Sequence, residues 1–418
     1  MSTDTKIEQS PIQAQPNQII NSNQDLIREK LDQATSILDE LDIDVWLTFV
    51  RESSMRPDPS LDLIYGGDVT WVSAFLICRD GRHVAILGHF DAENVRTLNA
   101  YSEVIGYHEG IGELLNQTLA AIDPSRIAIN YSQIDLAADG LTVGLYRMLQ
   151  GYLQGTPYEQ RLISAEKIIS ALRGRKIPIE IKRVRKAVAT TEKLFDEIEA
   201  FVKPGMTQSQ IAAFVHDSVD SMGLDYAWPK PFNPTVTCGP YSAVGHVSPG
   251  DVVLQKGHTF HIDLGIKEAD YCSDIQRMWY VLEDGESEAP PDVQKALDTV
   301  VGAIQAGERA LQPGIPGWQV DAAARAYIVD HGYPEYLHAF GHLVGRSAHD
   351  GAIVLGPQWE RYDGICELPV EVGNIFALEL HVIVPDRGIV SLEENVLITK
   401  SGVEYISTPQ TEFRYIRG

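Results

Sequence analysis

Long apolar runs are missing from this chain. None reaches eighteen residues, so no transmembrane helix is expected. Cysteine is scarce: Cys78, Cys238, Cys272 and Cys366 lie far apart with no CxxC spacing. That pattern argues against a disulfide framework or a thiolate-bound structural zinc, and suits reduced thiols in a cytoplasmic protein. Positive charge is also in short supply, with 34 basic against 58 acidic residues and a net charge of −24. Such a balance repels phosphates and anionic lipids, which sets nucleic acids and membranes aside as partners. The opening "MSTDTKIEQSPIQAQPNQIINSNQ" has neither the basic nor the apolar segment of a signal peptide. Its Gln, Asn, Pro and Ser content reads as a disordered tail over residues 1–25.

What remains is an ordinary globular composition, 44% hydrophobic and 22% charged over 418 residues, enough for two or three domains. Helix-spaced "DLIREKLDQATSILDELDID" precedes a strand, "VWLTFV". "VTWVSAFLICRDGRHVAILG" reads as a hairpin turning at Asp80-Gly81, followed by the strand "RIAINY" and the helix "LTVGLYRMLQGYL". This alternation marks an α/β domain over residues 26–157. A helical linker is expected over 158–178, with Pro178 at the junction. The last domain, 179–418, starts with two helices separated at "KPGMT", where Thr207 is placed to cap the second. Beyond Pro229 come strands and glycine-rich turns, with one helix, "PPDVQKALDTVVGAIQAGERALQ", inserted.

Chemistry is concentrated in two segments of that last domain. "HTFHIDLGIK" and "DYCSDIQRMWYV", paired about a two-residue turn at Glu268-Ala269, place Asp263 directly opposite Asp274. "NIFALELHVIV" and "IVSLEENVLIT", paired about the loop Pro385–Arg387, place Glu379 opposite Glu393. Opposed side chains have Cβ atoms about 4.5–5.5 Å apart, where like charges destabilise one another. Two such pairs on apolar strands call for cations. "HAFGHLVGRSAHDGA" supplies His338, His342 and His349, with Gly341 and Gly345 allowing close backbone approach. Oxygen-rich ligation with one imidazole suits manganese, iron, cobalt or zinc. Two divalent ions there would hold a bridging hydroxide and polarise a carbonyl, which is hydrolytic chemistry.

These residues resemble the pita-bread metallohydrolases, a group that includes methionine aminopeptidase, aminopeptidase P, prolidase and creatinase. The likeness is strong over roughly residues 176–418 and weaker for the N-terminal α/β domain. The implied fold is a creatinase-like α/β domain followed by an α+β pita-bread catalytic domain. Asp263 matches the aspartate of the family's DxG strand, and Asp274 that of "YCSDIQR". His342 matches the second histidine of HxxxHxxG, while Glu379 and Glu393 match the two glutamates. By the same resemblance Glu379 doubles as proton shuttle, His349 steadies the tetrahedral intermediate, and His246 and His338 contact substrate. Two divalent ions, manganese first with cobalt, zinc or iron as alternatives, and a homodimer are implied as well. The two-domain layout points to the Xaa-Pro branch, aminopeptidase P or prolidase.

Three departures lie beside the ligands. Leu380 replaces the proline that usually follows the first glutamate, Ser391 an arginine common in Xaa-Pro enzymes, and Gln276 the usual threonine. They keep open a C–N hydrolase or lyase acting on a small metabolite with the same scaffold. A catalytically dead peptide-binding module is a third reading, opposed by retention of the whole ligand set. Glu394 stands next to Glu393 and is the alternative occupant of that ligand position; His381 shares a strand face with Glu379.

Overall fold

Continuous runs of Val, Ile, Leu and Phe form the first sheet, and such runs suit strands buried on both faces. The computed structural model of the chain describes residues 16–245, 247–362 and 364–418. It divides into two compact units, the first comprising residues up to 130 together with 140–165, the second 131–139 together with 166–418.

In the first unit, α1 (Pro16–Glu40), α2 (Leu61–Ile64), α3 (His89–Thr97), α4 (Gly112–Ile122) and α5 (Val143–Leu153) accompany six strands. These are β1 (Val45–Val50), β2 (Ser73–Cys78), β3 (His83–Gly88), β4 (Glu103–Tyr107), β5 (Ile127–Ile129) and β6 (Leu162–Ser164), in the order β4-β3-β2-β1-β5-β6. The β2–β3 hairpin turns over Arg79–Gly81, with Gly81 at φ +83°.

Two expectations change here. The tail expected over 1–25 falls outside the described residues up to 15, but Pro16–Glu40 is one helix. Amphipathic "LIREKLDQATSIL" buries Leu26, Ile27, Leu31 and Leu38, and that helix simply extends N-terminally. The stretch 158–178 is not a helical linker, because Leu162–Ser164 pairs in parallel with β5 as the sheet's edge strand. Pro178 opens a helix rather than breaking one; its missing N–H costs nothing at a helix start.

The second unit contains α6 (Glu166–Gly174), α7 (Pro178–Phe201), α8 (Gln208–Ser221), α9 (Pro291–Ala310) and α10 (Gly317–Asp330). The expected cap is present: Thr207 Oγ1 accepts from Gln210 N at 3.2 Å, and Gln210 Oε1 accepts from Thr207 N at 2.9 Å. The strands are β7 (Asp225–Tyr226), β8 (Thr235–Cys238), β9 (Thr259–Leu264), β10 (Ile266–Glu268), β11 (Tyr271–Cys272) and β12 (Ile275–Val281). They continue with β13 (Gly341–Leu343), β14 (Val354–Leu355), β15 (Ile375–Val384), β16 (Gly388–Thr399), β17 (Gly402–Tyr405) and β18 (Arg414–Ile416). The main sheet runs β14-β13-β15-β16-β12-β9-β8, with β17 on β16 and β18 on β12; β11-β10-β7 form a small second sheet.

Alternation along β15 sorts its side chains. Leu378, Leu380 and Val382 pack with Val300 and Ile304 of α9 and Val320 and Ala324 of α10. Glu379 and His381 point the other way and are only half-buried. A second apolar cluster joins Val188 and Phe195 of α7 and Ile211 of α8 to Phe260, Ile262 and Trp279. The sheet thus carries apolar layers while reserving one stretch of its surface for polar side chains.

The β15–β16 register is as expected, with Glu379 opposite Glu393 and the loop at Pro385–Arg387, where Asp386 takes φ +61°. The first hairpin is shifted by one residue at its turn. Lys267 pairs with Cys272 and Glu268 with Tyr271, so the turn residues are Ala269 and Asp270, both at positive φ. A two-residue turn that fits strand twist needs both central residues left-handed, and Asp tolerates that region better than Glu. In consequence Asp263 faces Gln276, not Asp274.

Candidate metal centre

One row of cross-strand partners builds the floor of the site: Thr235, Asp263, Gln276, Glu393 and Glu379, on β8, β9, β12, β16 and β15 in turn. Asp274 stands just before β12, where Ser273 breaks the ladder. Its position is fixed by Asn395, which accepts from Asp274 N at 3.2 Å and donates to its carbonyl at 2.7 Å. His342 pairs with Ala377, two residues before Glu379, so it shares that face. Gly341 makes the placement feasible, since a Cβ there would meet the Ala377 carbonyl oxygen at 2.3 Å.

The side chains converge. His342 Nε2 lies 3.8 Å from Asp274 Oδ2, 3.9 Å from Glu379 Oε1 and 3.7 Å from Glu393 Oε1. Asp274, His342 and Glu393 each offer a ligand atom within 4.8 Å of the others. Asp263 and Glu379 line the same cavity. Glu394 faces elsewhere: it receives two 3.0 Å bonds from Arg277 and a third, 2.5 Å, from Ser407.

Whether these residues fit a cation is tested by what they lack. Asp263 Oδ1 is buried without a hydrogen-bond partner among the described residues. Burial, followed by repulsion from Glu379, raises the Asp263 carboxyl well above its usual range. Burial and the Asp263 and Glu379 charges do the same to Asp274, and burial and Asp274 to Glu393. Burial lowers His342, leaving a neutral imidazole able to donate a lone pair. Buried carboxylates in this state are destabilised as anions unless a cation compensates them. The donor set therefore fits divalent metal.

Gln276 and Ser391 form one network with His261. His261 Nε2 donates to Gln276 Oε1 at 2.9 Å, and Ser391 Oγ donates to the same oxygen at 2.5 Å. That occupancy turns the Gln276 amide nitrogen toward Glu379 Oε2, at 2.9 Å. Leu380 is fully buried in the α9–α10 layer and does not line the cavity. His261 escaped the sequence reading, although its position two residues before Asp263 puts it on the same strand face and was the available signal.

Two cavities share Asp263, His342, His349 and Glu379. One, about 440 Å³, has an apolar wall of Trp228, Pro229 and Phe232. The other, about 490 Å³, has Thr237, His261, Gln276, His338 and His381 set among apolar side chains in its wall. His349 meets His342 edge-on, ring centroids 4.4 Å apart. His338 stacks on His381 at 5.1 Å. His246 lies outside the described residues. Among described residues, neither wall contains Lys or Arg.

Comparison with known proteins bears on the family and the fold. Residues 182–400 match the model of Metallopeptidase family M24. An uncharacterized peptidase of Staphylococcus aureus is 25% identical over 335 residues, covering 80% of this chain and 87% of the relative. A counterpart in Staphylococcus saprophyticus is 27% identical over the same shares. Among solved structures, an Xaa-Pro dipeptidase from Bacillus anthracis has a TM-score of 0.71 at 22% identity, covering 93% of this chain and 99% of that one. The X-Pro aminopeptidase from Thermotoga maritima has a TM-score of 0.68 at 20% identity, covering 92% and 99%. These likenesses establish the fold, an α/β domain followed by the pita-bread domain.

Proposed function

The chain belongs to metallopeptidase family M24, and from that premise we propose that it is a dinuclear metal-dependent Xaa-Pro peptidase. Asp263, Asp274, His342, Glu379 and Glu393 are assigned as ligands. The observation that carries the reading is their convergence in one cavity with a buried Asp263 oxygen unpartnered among the described residues. Manganese is the first candidate, with cobalt, zinc or iron as alternatives, since this donor set accepts several. By the same family likeness the enzyme is assigned as a cytoplasmic homodimer. Consistent with that, its four cysteines are buried, and no described helix is long and apolar enough to cross a membrane.

When bound, the metal supplies a polarised scissile carbonyl and a water acidic enough to attack near neutral pH. The chain supplies the rest. Glu379, anchored on one oxygen by Gln276, holds the proton taken from water and returns it to the leaving nitrogen. His349 faces the developing oxyanion as a stabilising group. Trp228, whose indole N–H is tied to the Phe232 carbonyl at 2.9 Å, presents with Phe232 a flat apolar surface suited to a pyrrolidine ring. His338 and His246 are assigned to substrate contact.

The missing cation in both described walls bears on peptide length. A dipeptide's carboxylate lies next to the scissile bond and has no Lys or Arg to meet it there, which favours longer substrates. The same observation favours, as second reading, a C–N hydrolase or lyase acting on an uncharged metabolite. Hydrolysis of Xaa-Pro dipeptides and Xaa-Pro-Yaa tripeptides with added manganese decides, with Asp274→Asn as control. We expect tripeptide cleavage, lost by at least about a hundred-fold in the variant. Inertness of the metal-loaded protein toward every peptide would remove the peptidase reading.

A further inference from the structure

The larger of the two cavities, about 490 Å³, carries in its wall a short imidazole relay whose end is directed by its beginning. His338 Nδ1 lies 2.7 Å from the Ala339 carbonyl oxygen, which can only accept, so Nδ1 carries the proton. His338 Nε2 lies 3.1 Å from His381 Nδ1. In its neutral form each ring holds one proton. With the His338 proton on Nδ1, its Nε2 is a lone pair, and His381 Nδ1 must donate to it. The His381 proton is thereby placed on Nδ1, and its Nε2 is left as an acceptor. Among the described residues that atom makes no hydrogen bond, and His381 is half-buried in the cavity wall.

Neighbouring protons are committed in the same sense. Ser391, directly opposite His381 on β16, donates its hydroxyl to Gln276 Oε1. His261 donates from Nε2 to that oxygen, so its Nδ1 accepts from Thr237 Oγ1 at 3.1 Å. The protons of Ser391, Thr237 and His261 all point into the wall.

We propose that His381 Nε2 is a specificity-determining acceptor, which binds an N–H or O–H group of the substrate residue seated in that cavity. The assignment rests on the peptidase reading above and names the side-chain chemistry preferred: hydrogen-bond donors over apolar isosteres.

The first test reads the proton directly, independently of catalysis. Long-range ¹H–¹⁵N spectra of histidine-labelled protein at pH 8, assigned with His338→Phe and His381→Phe, should show Nδ1–H tautomers for both rings. An Nε2–H tautomer at His381 overturns the proposal. The second compares peptides differing only by Thr for Val on either side of the scissile bond. Wild type should favour Thr at one position by about ten-fold in kcat/KM, the scale of one hydrogen bond. In His381→Phe, which keeps an aromatic ring against His338, the ratio should fall to about one. A Thr preference absent from wild type, or unchanged in the variant, overturns the proposal. Failure to cleave any peptide removes the peptidase reading instead, and the tautomer spectrum then decides the acceptor assignment alone.

Discussion

Gln276 occupies the centre of the cross-strand row, between Asp263 and Glu393. Its carbonyl receives both Ser391 and His261, and its amide nitrogen reaches Glu379. Replacing it with Met, similar in length but without polar atoms, takes a hydrogen-bond partner from each of three buried or half-buried groups, Ser391, His261 and Glu379. Each lost partner costs about 1–3 kcal/mol. Releasing a group that orients a ligand lowers activity about 10–100-fold. We expect Gln276→Met to bind metal, unfold at lower denaturant and show reduced kcat; wild-type kcat would show that Glu379 needs no anchor. The sequence displayed Gln276 and Ser391 only as separate oddities. Their connection depends on a register that places residues 276, 391 and 261 around one oxygen, and no local pattern encodes it. Glu393 and Glu394 were likewise adjacent candidates until Arg277 claimed the second.

Elements were more legible than their pairing. The helix over "EIKRVRKAVATTEKLFDEIEAFV", the Thr207 cap and the β15–β16 loop followed from periodicity and turn chemistry. The β10–β11 turn did not, because Glu268-Ala269 and Ala269-Asp270 differ only in which pair accepts positive φ. Another feature invisible in the sequence joins α6 to the segment after β13. Asp350 Oδ2 is 2.8 Å from Lys176 Nζ, and its other oxygen bonds Arg173, all three being buried. Gly345 gives them room, since a Cβ there would lie 2.0 Å from Asp350 Oδ2. Burial alone would raise the Asp350 carboxyl; Arg173 and Lys176 outweigh it and hold it below the usual range. A depressed folded pKa means that the stabilisation is complete above the unfolded value, about 3.9, and lost as pH falls through the folded value. Asp350→Asn removes the carboxylate charge that faces two buried cations and should cost about 3–5 kcal/mol at pH 7. Urea midpoints of the two proteins should converge toward acid pH; a gap independent of pH would show that Asp350 acts by shape rather than charge.

For the whole molecule the decisive quantity is uncompensated negative charge. A net −24 sets the background, and the Asp263, Asp274 and Glu393 carboxyls concentrate it in one cavity. Burial and mutual repulsion raise all three carboxyls in the metal-free chain. The sign is opposite to that of Asp350. A carboxyl whose folded pKa is raised stabilises the fold fully below its unfolded value, about 3.9–4.3, and loses that contribution as pH climbs through the folded value. Metal-free protein should therefore lose stability from about pH 4 upward. Each of the three groups contributes about 1.4 kcal/mol of that loss for every pH unit climbed between its unfolded and folded pKa. A divalent cation reverses the trend, because it binds the deprotonated ligands and its affinity grows as their protons leave. Thermal unfolding with manganese or with chelator, from pH 5 to 8, should show midpoints close together at the acid end and separating steadily toward neutrality. In Asp274→Asn the separation should shrink at every pH, since that variant removes one charge from the cluster and one ligand from the ion. A metal-dependent gap of constant size across this range would mean that the carboxylates are already compensated within the chain, and the assignment of this cavity as a metal centre would fall.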